Sequence, residues 1–550
     1  MKKISLSLLC ILLLSNWSWA QQYHKPVRPV KNVIVMIPDG TSIGVVSAAR
    51  WYQIYNKLGG NNLNIDPYLC GTVKTFSSNA PIGDSAPTTS AYMTGMPQQS
   101  GNVSIYPLAD PKNDLIFVDP NKAYQPLATL LEAARITKDK ATGLVVTVEF
   151  PHATPADCAA HYYLRSEYKY IASQMAYNHL DVVFGGGNSI LTEDIKNHFK
   201  VNGTKLIQND INAFRSFSGN EKVWALFQDR ELPFDLDRDD SQIPSLSEMT
   251  TKAIDRLSKN ENGFFLMVEG SKIDWVAHGN DAAGCITEFL AFDKAVGAAL
   301  EFAKKDGETA VIILPDHGNS GFTIGRRDLK SYDKASIDDL FSNVSKYRKT
   351  GEGLEKILLT EKPENIKSVI KEYTDIDITE QEYETLMLSK NYHESNYMKV
   401  SESPNMAASL IKIMNDRTYF GFTTGGHTGE EVFLAAYHPQ GDLPIGMNTN
   451  TQINNYLSDL VGLTTSLSEL TKTMFTKHTD LFEGMNVSID KSSDFPVLVV
   501  QKGNKTLEIP AFKSVAYLNK KQIKLESVTV YIDKNNTFYV PASIKKHLQK

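Results

Sequence analysis

The residues of this sequence that could do chemistry are aspartates and histidines at spacings suited to binding metal ions. Asp274 and His278 are four residues apart, which places both side chains on one face of a helical turn. Asp316 and His317 are adjacent in a Pro-Asp-His-Gly segment, and His427 lies among glycines that permit a bound group to approach the backbone. Carboxylates and imidazoles together are zinc ligands. Each motif taken alone also suits an ordinary turn or a satisfied polar group.

Ser85 is the candidate nucleophile. The segment Asp-Ser-Ala-Pro predicts a helix that begins at Asp84 or Ser85, because Pro87 is tolerated in the first turn of a helix. The unpaired N–H groups of a helix start bind anions, and a serine beside zinc can be deprotonated there. On local pattern alone, a plain helix cap is favoured over a nucleophile.

The elements that must position these residues are strands. Four apolar runs, at 33–37, 143–148, 264–268 and 310–314, stop at polar residues and are typical of buried parallel strands. The residues that follow them are Asp39, Thr154, Glu269 and Asp316. Because the carboxyl ends of parallel strands meet at one crevice, these residues are expected to converge. The pattern predicts an α/β fold with a central, mostly parallel sheet flanked by helices.

The composition is that of a globular protein. The chain has 550 residues, 42% of them hydrophobic, and a formal net charge of −6. The absence of a basic run argues against nucleic acid as the main partner. Apart from one cysteine in the N-terminal leader, only Cys70, Cys158 and Cys285 occur, so at least one thiol is unpaired and a dense disulfide framework is excluded. The sequence does not decide whether two of these three cysteines form a disulfide.

The chain is predicted to have four parts. Residues 1–20 resemble a signal peptide: Lys2 and Lys3 precede an apolar run that is too short to span a bilayer, and cleavage is expected after Ala20. The mature protein is therefore predicted to be periplasmic or secreted, without stable membrane insertion. Residues 21–482 form the expected catalytic region, in which 318–426 is an inserted, mainly helical cap. Residues 483–550 alternate in polarity and predict a small β module.

The order of the motifs resembles that of the alkaline phosphatase family. The segments that carry the resemblance are Asp39, Asp-Ser-Ala at 84–86, Val-Glu-Gly at 268–270, Ile-Asp-x-x-x-His at 273–278, Asp-His at 316–317 and His-Thr-Gly at 427–429. They cover roughly residues 31 to 482. The resemblance implies hydrolysis of small-molecule phosphate monoesters to alcohol and phosphate through a phosphoserine intermediate, with an alkaline pH optimum. It also implies two Zn²⁺ ions, one Mg²⁺ ion, and either a monomer or a homodimer.

The resemblance also implies a role for each residue. The implied ligands are Asp274, His278 and His427 for the first zinc, Asp39, Asp316 and His317 for the second zinc, and Asp39, Thr154 and Glu269 for magnesium. Ser85 is the implied nucleophile on the second zinc. Arg165 is implied to bind two phosphate oxygens, which suits its planar guanidinium, although the local sequence favours a solvated helix face. His152 and Trp275 fall at positions where family members vary, so both are expected beside the third metal site. For Trp275, a role as an aromatic residue that only packs is equally well supported.

Three other functions stay open. A phosphodiesterase or sulfatase of the same superfamily is opposed by Arg165 and Glu269, whose equivalents diesterases generally lack, and by the absence of a Cys-x-Pro-Ser-Arg-like segment. A non-catalytic metal-binding protein would not need Ser85 or Arg165. An adhesion or scaffold protein would use the C-terminal β module.

Overall fold

The structure is a computed structural model, and it describes residues 27–389 and 405–549. The signal peptide predicted at 1–20 lies outside the described residues, so its cleavage stays a prediction. Among the described helices, none combines the length and the apolar character needed to cross a bilayer. Cys70, Cys158 and Cys285 are all free thiols.

A ten-stranded sheet forms the centre of the molecule. Its strands are β1 Asn32–Ile37, β2 Leu69–Lys74, β3 Ala141–Glu149, β4 Val182–Gly186, β5 Lys205–Gln208, β6 Val223–Leu226, β7 Phe264–Glu269, β8 Thr309–Ile313, β9 Val432–Tyr437 and β10 Gly446–Thr449. The spatial order is β10-β2-β9-β8-β1-β7-β3-β4-β6-β5. All neighbours are parallel except β9, which runs antiparallel to β2 and β8. The predicted fold class, a mostly parallel sheet, is confirmed.

Strand β1 lies in the middle of the sheet because it is apolar on both faces. All six of its residues are buried, and it pairs with β7 on one side and β8 on the other. Since side chains alternate along a strand, Val33, Val35 and Ile37 enter the apolar core on one face, whereas Ile34 and Met36 enter the core on the other. The continuous apolar run therefore reflects a sheet that is covered on both sides.

Helices cover both faces of the sheet. In chain order they are Ile43–Asn56, Ser85–Thr94, Leu130–Lys138, Ala153–Ala159, Tyr168–Tyr177, Glu193–Val201, Ile211–Ser216, Leu246–Leu257, Lys272–His278, Ala282–Asp306, Asn450–Val461 and Leu467–Met474. The segment 318–426 adds the helices Ile337–Phe341, Gly351–Leu358, Ile366–Thr374, Glu380–Ser389 and Met406–Asn415. The described part of this inserted segment, 318–389 and 405–426, therefore consists mainly of helices and their connections.

The inserted segment is joined to the sheet-bearing part of the molecule by apolar packing and by hydrogen bonds. Leu354 and Ile370 are buried in the same core as strand β1. The Asp281 carboxylate caps the helix Ala282–Asp306 and also accepts a hydrogen bond from Gly351 N at 2.8 Å. One side chain thus fixes the start of an inserted helix beside the loop that follows His278.

The C-terminal segment forms two small antiparallel sheets. Five strands, Asn486–Asp490, Val497–Lys502, Lys505–Pro510, Val515–Leu518 and Lys521–Lys524, follow one another in space as in sequence. A second sheet has Thr537–Val540 between Thr476–Lys477 and Val530–Ile532. The small β module is confirmed as an element of the fold. The predicted boundary at residue 482 stays a prediction, since the second sheet joins residues on both sides of it.

Candidate active site

The predicted site residues meet at one edge of the sheet. Asp39 follows β1, Glu269 is the last residue of β7, and Asp316 follows β8. His427 precedes β9, whose antiparallel direction brings its amino end to the same edge. Residues far apart in sequence therefore converge as the strand pattern predicts.

Gly40 makes a close approach between two of these segments possible. Its φ is +61°, in the left-handed region that favours glycine. A Cβ atom at this position would lie 2.4 Å from Asp274 Oδ1. The chain after Asp39 can therefore run against the Asp274 carboxylate only because residue 40 lacks a side chain.

Three histidines of the site share one hydrogen-bonding arrangement. In each, ring atom Nδ1 donates to a backbone carbonyl, which can only accept, so the hydrogen is on Nδ1 and the neutral ring has a lone pair on Nε2. This arrangement is typical of metal-binding histidines. The pairs are His278 with Gly425 O at 2.8 Å, His317 with Gly318 O at 3.1 Å and His427 with Gly83 O at 2.8 Å.

The Nε2 atoms point at one another and at a carboxylate. His278 Nε2 lies 3.1 Å from His427 Nε2. The Asp274 carboxylate lies 3.5 Å from the first and 3.6 Å from the second. Two lone pairs at 3.1 Å repel unless a cation lies between them, so this group fits a zinc ion. The His317 Nε2 atom is also close, within 4.8 Å of ligand atoms of Asp274 and His427.

A second group surrounds the Ser85 hydroxyl. His317 Nε2 lies 3.4 Å from Asp39 Oδ1 and 3.4 Å from Asp316 Oδ2, and Ser85 Oγ lies 3.3 Å from the same nitrogen. Two carboxylate oxygens of this group, Asp39 Oδ2 and Asp316 Oδ2, are buried without a hydrogen-bond partner. Burial and the negative charges of Asp316 and Asp274 hold the pKa of Asp39 well above its usual value. Buried carboxylates without partners are costly, and a bound cation would remove that cost.

A third group consists of oxygen donors. Both carboxylate oxygens of Glu269 and the Thr154 hydroxyl are buried without a hydrogen-bond partner. Burial raises the pKa of Glu269 to about 8, with the Ser271 hydroxyl acting against the shift and the Asp316 charge adding to it. An oxygen-only set suits Mg²⁺.

Ser85 begins a helix, as predicted, and its neighbour Asp84 orients Arg165. Asp84 Oδ1 accepts from Ser85 N at 2.9 Å and from Arg165 Nη1 at 2.6 Å. Burial alone would raise the pKa of Asp84, but the charges of Arg165, His427 and His317 hold it below its usual value. Arg165 lies in the loop before the helix Tyr168–Tyr177, not on a helix face.

His152 and Trp275 lie together beside Arg165. Their ring centroids are 6.0 Å apart in an edge-to-face arrangement, and His152 Nε2 is 3.4 Å from Arg165 Nη2. Burial, together with the charge of Arg165, lowers the pKa of His152 to about 3. His152 is therefore neutral at physiological pH.

Sequence reasoning missed two supporting residues. Asn319 Nδ2 donates to Asp274 Oδ1 at 2.7 Å and so orients a ligand carboxylate, but no motif marks it. Asp84 is recognised from the sequence only as a helix cap, although its position next to Ser85 was a usable signal for a charge partner of Arg165.

Comparison with known proteins identifies the family. The sequence profile of the alkaline phosphatase family matches residues 30–463. Alkaline phosphatase 4 of Bacillus subtilis (strain 168) is 35% identical over 441 residues, which cover 78% of this chain and 88% of that protein.

Solved structures agree with the sequence comparison. The cold-active alkaline phosphatase from the psychrophile Shewanella sp. has a TM-score of 0.67 and 27% identity, covering 78% of this chain and all of that one. TAB5 is an Antarctic bacterium. A mutant of its alkaline phosphatase has a TM-score of 0.55 and 25% identity, and the match covers 80% of this chain and 100% of that one. This chain therefore belongs to the alkaline phosphatase family.

Proposed function

We propose that this enzyme hydrolyses phosphate monoesters by attack of the Ser85 hydroxyl on phosphorus. Hydrolysis of phosphate monoesters is the activity of its family, and the residues that perform it here are our assignment. One observation carries the proposal: Ser85 Oγ lies 3.3 Å from His317 Nε2 and 3.5 Å from Asp39 Oδ1, and the carboxylates of Asp39 and Asp316 beside this histidine each have a buried oxygen without a hydrogen-bond partner. A polar cluster that is built only for stability would satisfy its own hydrogen bonds.

The proposed ligand sets are those that the family resemblance implies. Asp274, His278 and His427 would hold the first zinc, and Asp39, Asp316 and His317 the second. Asp39, Thr154 and Glu269 would hold magnesium, which is supported by the TAB5 mutant, described as having Mg bound in its M3 site. Bound zinc ions would make the Ser85 hydroxyl and a water more acidic and stabilise the leaving oxygen, while magnesium would order water near Thr154.

The chain's own residues would act in two displacements. In the first, Ser85 Oγ forms a bond to phosphorus while the bond to the alcohol oxygen breaks, which leaves a phosphoserine. In the second, water attacks phosphorus from the opposite side, the bond between Ser85 Oγ and phosphorus breaks, and Ser85 Oγ regains a proton from the attacking water as inorganic phosphate leaves. Arg165 and the N–H groups at the start of the helix Ser85–Thr94 bind the charged oxygens in both steps. Two inversions predict retention of configuration at phosphorus.

We also propose that the protein is exported and acts in the periplasm or outside the cell. The support is the leader-like composition of residues 1–20. A homodimer stays a prediction of the family resemblance.

The first test is the hydrolysis of one phosphate monoester and one diester by wild type, Ser85→Ala and the control Ser216→Ala, which removes an exposed hydroxyl on a distant helix. We expect Ser85→Ala to lose monoester turnover by a factor on the order of 10³ or more while its zinc and magnesium contents stay unchanged. Ser216→Ala should match wild type. If all three proteins bind metal and none hydrolyses the monoester, a diesterase or a metal-binding role replaces this proposal.

A further inference from the structure

A cleft of about 1040 Å³ opens beside the group that we assign to the first zinc. Gly279 and Asn280, which directly follow His278, line one part of it, and the helix Met406–Asn415 with the segments 323–328 and 420–423 lines the rest. A volume of this size can hold a small-molecule substrate. Most of its lining therefore comes from the inserted segment.

The cleft is held in place from both sides. Asn415 Nδ2 donates to Asn280 O at 2.7 Å, which ties the inserted helix to the loop after His278. Arg326 Nη1 donates to Asn415 O at 2.9 Å, so the same residue also joins the inserted helix to the segment 323–328. The helix Met406–Asn415 buries Leu410 and turns Ala408, Ile411 and Lys412 toward the cleft. The cleft is thus preformed, which lowers the cost of binding.

The lining combines apolar side chains, among them the aromatic Phe422, with one cationic side chain, that of Arg327, which has no ion-pair partner among the described residues. Phe422 packs edge-to-face on Phe322 at 5.2 Å, which fixes the plane of its ring, and Ile411 adds aliphatic surface. Lys412 is paired with Asp416 at 2.7 Å. The Arg327 guanidinium is exposed and forms no hydrogen bond or ion pair with any residue at 27–389 or 405–549. Aromatic rings and a guanidinium plane together bind flat ring systems.

We propose that this cleft binds the alcohol part of the substrate and favours monoesters of large, ring-bearing alcohols, such as nucleosides, over those of small polar alcohols. The inference rests on the proposed function and adds one assignment to it: the leaving oxygen would lie next to the first zinc, which Asp274, His278 and His427 would hold. Gly279 and Thr423, which line the cleft, lie one residue after His278 and four residues before His427 in the chain, so the cleft is the space that we assign to a large leaving group. The enzyme therefore selects substrates through its insertion as well as through their phosphoryl group.

The test compares adenosine 5′-monophosphate with ribose 5-phosphate, which share the same phosphorylated primary alcohol and differ in the base. We expect wild type to have a kcat/KM at least about tenfold higher for the nucleotide, the equivalent of about 1.4 kcal/mol. Ala408→Trp, at an exposed position on the cleft wall, should bring the ratio close to one, and Arg327→Ala should lower it about threefold. Glu384→Trp, on the exposed face of another inserted helix, is the matched control and should keep the ratio of wild type.

A binding measurement separates the two proposals. Saturation-transfer NMR on the metal-free protein should detect adenosine on wild type and Glu384→Trp, but not on Ala408→Trp, and should not detect ribose. If adenosine binds in this pattern while neither ester is hydrolysed, the proposed function fails and the cleft assignment stands. If both esters are hydrolysed at equal kcat/KM and adenosine does not bind, the cleft assignment is overturned and the proposed function stands.

Discussion

The carboxylates of Asp39, Glu269 and Asp316, which we term the Asp39 cluster, are as deeply buried as the carboxylate of Glu132, but their surroundings differ. Glu132 Oε1 accepts from His161 Nε2 at 3.1 Å and from Asn178 Nδ2 at 3.0 Å, while Oε2 accepts from Thr129 N at 3.1 Å. We term these four residues the Glu132 network. In the Asp39 cluster, each of the three carboxylates has at least one buried oxygen without a partner.

The pKa directions follow the same division. Burial would raise the pKa of both Glu132 and Glu269, but His161 lowers the pKa of Glu132, whereas Glu269 remains raised, to about 8. When a buried acid has its charge paired and its oxygens hydrogen-bonded within the chain, removal of either partner destabilises the fold. A buried acid that finds neither a cation nor donors within the chain destabilises the metal-free fold and favours the binding of an external cation. Burial alone therefore does not distinguish a structural acid from a functional one, and the hydrogen-bond partners of each carboxylate oxygen must be compared as well.

The largest expected effect is on activity, in the Asp39 cluster. Asp316→Asn retains an oxygen that can accept from Gly40 N and His317 N, but removes a charged metal ligand. We expect phosphatase activity to fall by a factor on the order of 10³, because a bound metal supplies several kcal/mol of transition-state stabilisation. Zinc content should fall as well, as measured by atomic absorption.

Asp316→Asn also tests whether the Asp39 cluster, unlike the Glu132 network, destabilises the metal-free fold. In the presence of a chelator, urea unfolding should show Asp316→Asn to be no less stable than wild type, since it removes a buried negative charge. A loss of several kcal/mol in the metal-free state would mean that the Asp39 cluster is structural.

The next effect is on stability, in the Glu132 network. Glu132→Gln removes the buried negative charge and places an amide NH₂ group, which cannot accept a hydrogen bond, next to the N–H donors of the network. We therefore expect the free energy of unfolding to fall by about 3 kcal/mol, with zinc content and kcat unchanged. The pKa of Glu132 is lower in the folded protein than in the unfolded chain, where a glutamate has a pKa of about 4.3. Wild type is therefore more stable than Glu132→Gln above this pH, and the difference in stability is lost as the pH falls further. Urea unfolding at pH 8 and at low pH measures both, and equal stability of the two proteins at pH 8 would contradict the prediction.

A smaller effect links metal binding to pH. Since the pKa of Glu269 is about 8 in the metal-free protein, this group is mostly protonated at pH 7. Mg²⁺ binding should then release close to one proton from Glu269 at pH 7 and few from it at pH 9.5, in addition to the proton that Asp39, whose pKa is also raised, releases. Calorimetry in buffers of different ionisation enthalpy measures the release. Glu269→Gln should lower the release at pH 7 by close to one proton, and a release of wild-type size in that variant would exclude Glu269 as a source.

The smallest effect concerns phosphate binding next to the Asp39 cluster. Arg165→Lys replaces a planar donor pair with a point charge, so we expect KM to rise about tenfold with metal content unchanged. Arg230→Lys is the matched control, because that arginine pairs with Glu149 and its side chain is 67% exposed. Equal KM values for the two variants would show that Arg165 does not bind the phosphoryl group.

Much of the fold and the site could be predicted because their signals are local. The continuous apolar run of β1 ends just before Asp39, and β8 ends just before Asp316, so one short stretch of sequence predicts both the strand and the metal ligand that follows it. The partners of the histidines could not be predicted, since Gly83, Gly318 and Gly425 contribute backbone carbonyls that every residue type has. Asn319 and the cleft depend on contacts between segments far apart in sequence, to which no motif corresponds.

The second C-terminal sheet has a consequence for how the chain acquires its structure. Its central strand, Thr537–Val540, pairs with Thr476–Lys477 across the intervening residues 478–536. Because loop closure over such a span must precede this pairing, we expect the contact between the two strands to form late in folding, after the local pairing of Thr537–Val540 with Val530–Ile532. Tyr539 and Val540 are fully buried in the same apolar core as Val33 of β1. We therefore expect a chain that is truncated within residues 483–536 to be vulnerable to proteolysis throughout, rather than to leave an intact phosphatase that lacks only its C-terminal module.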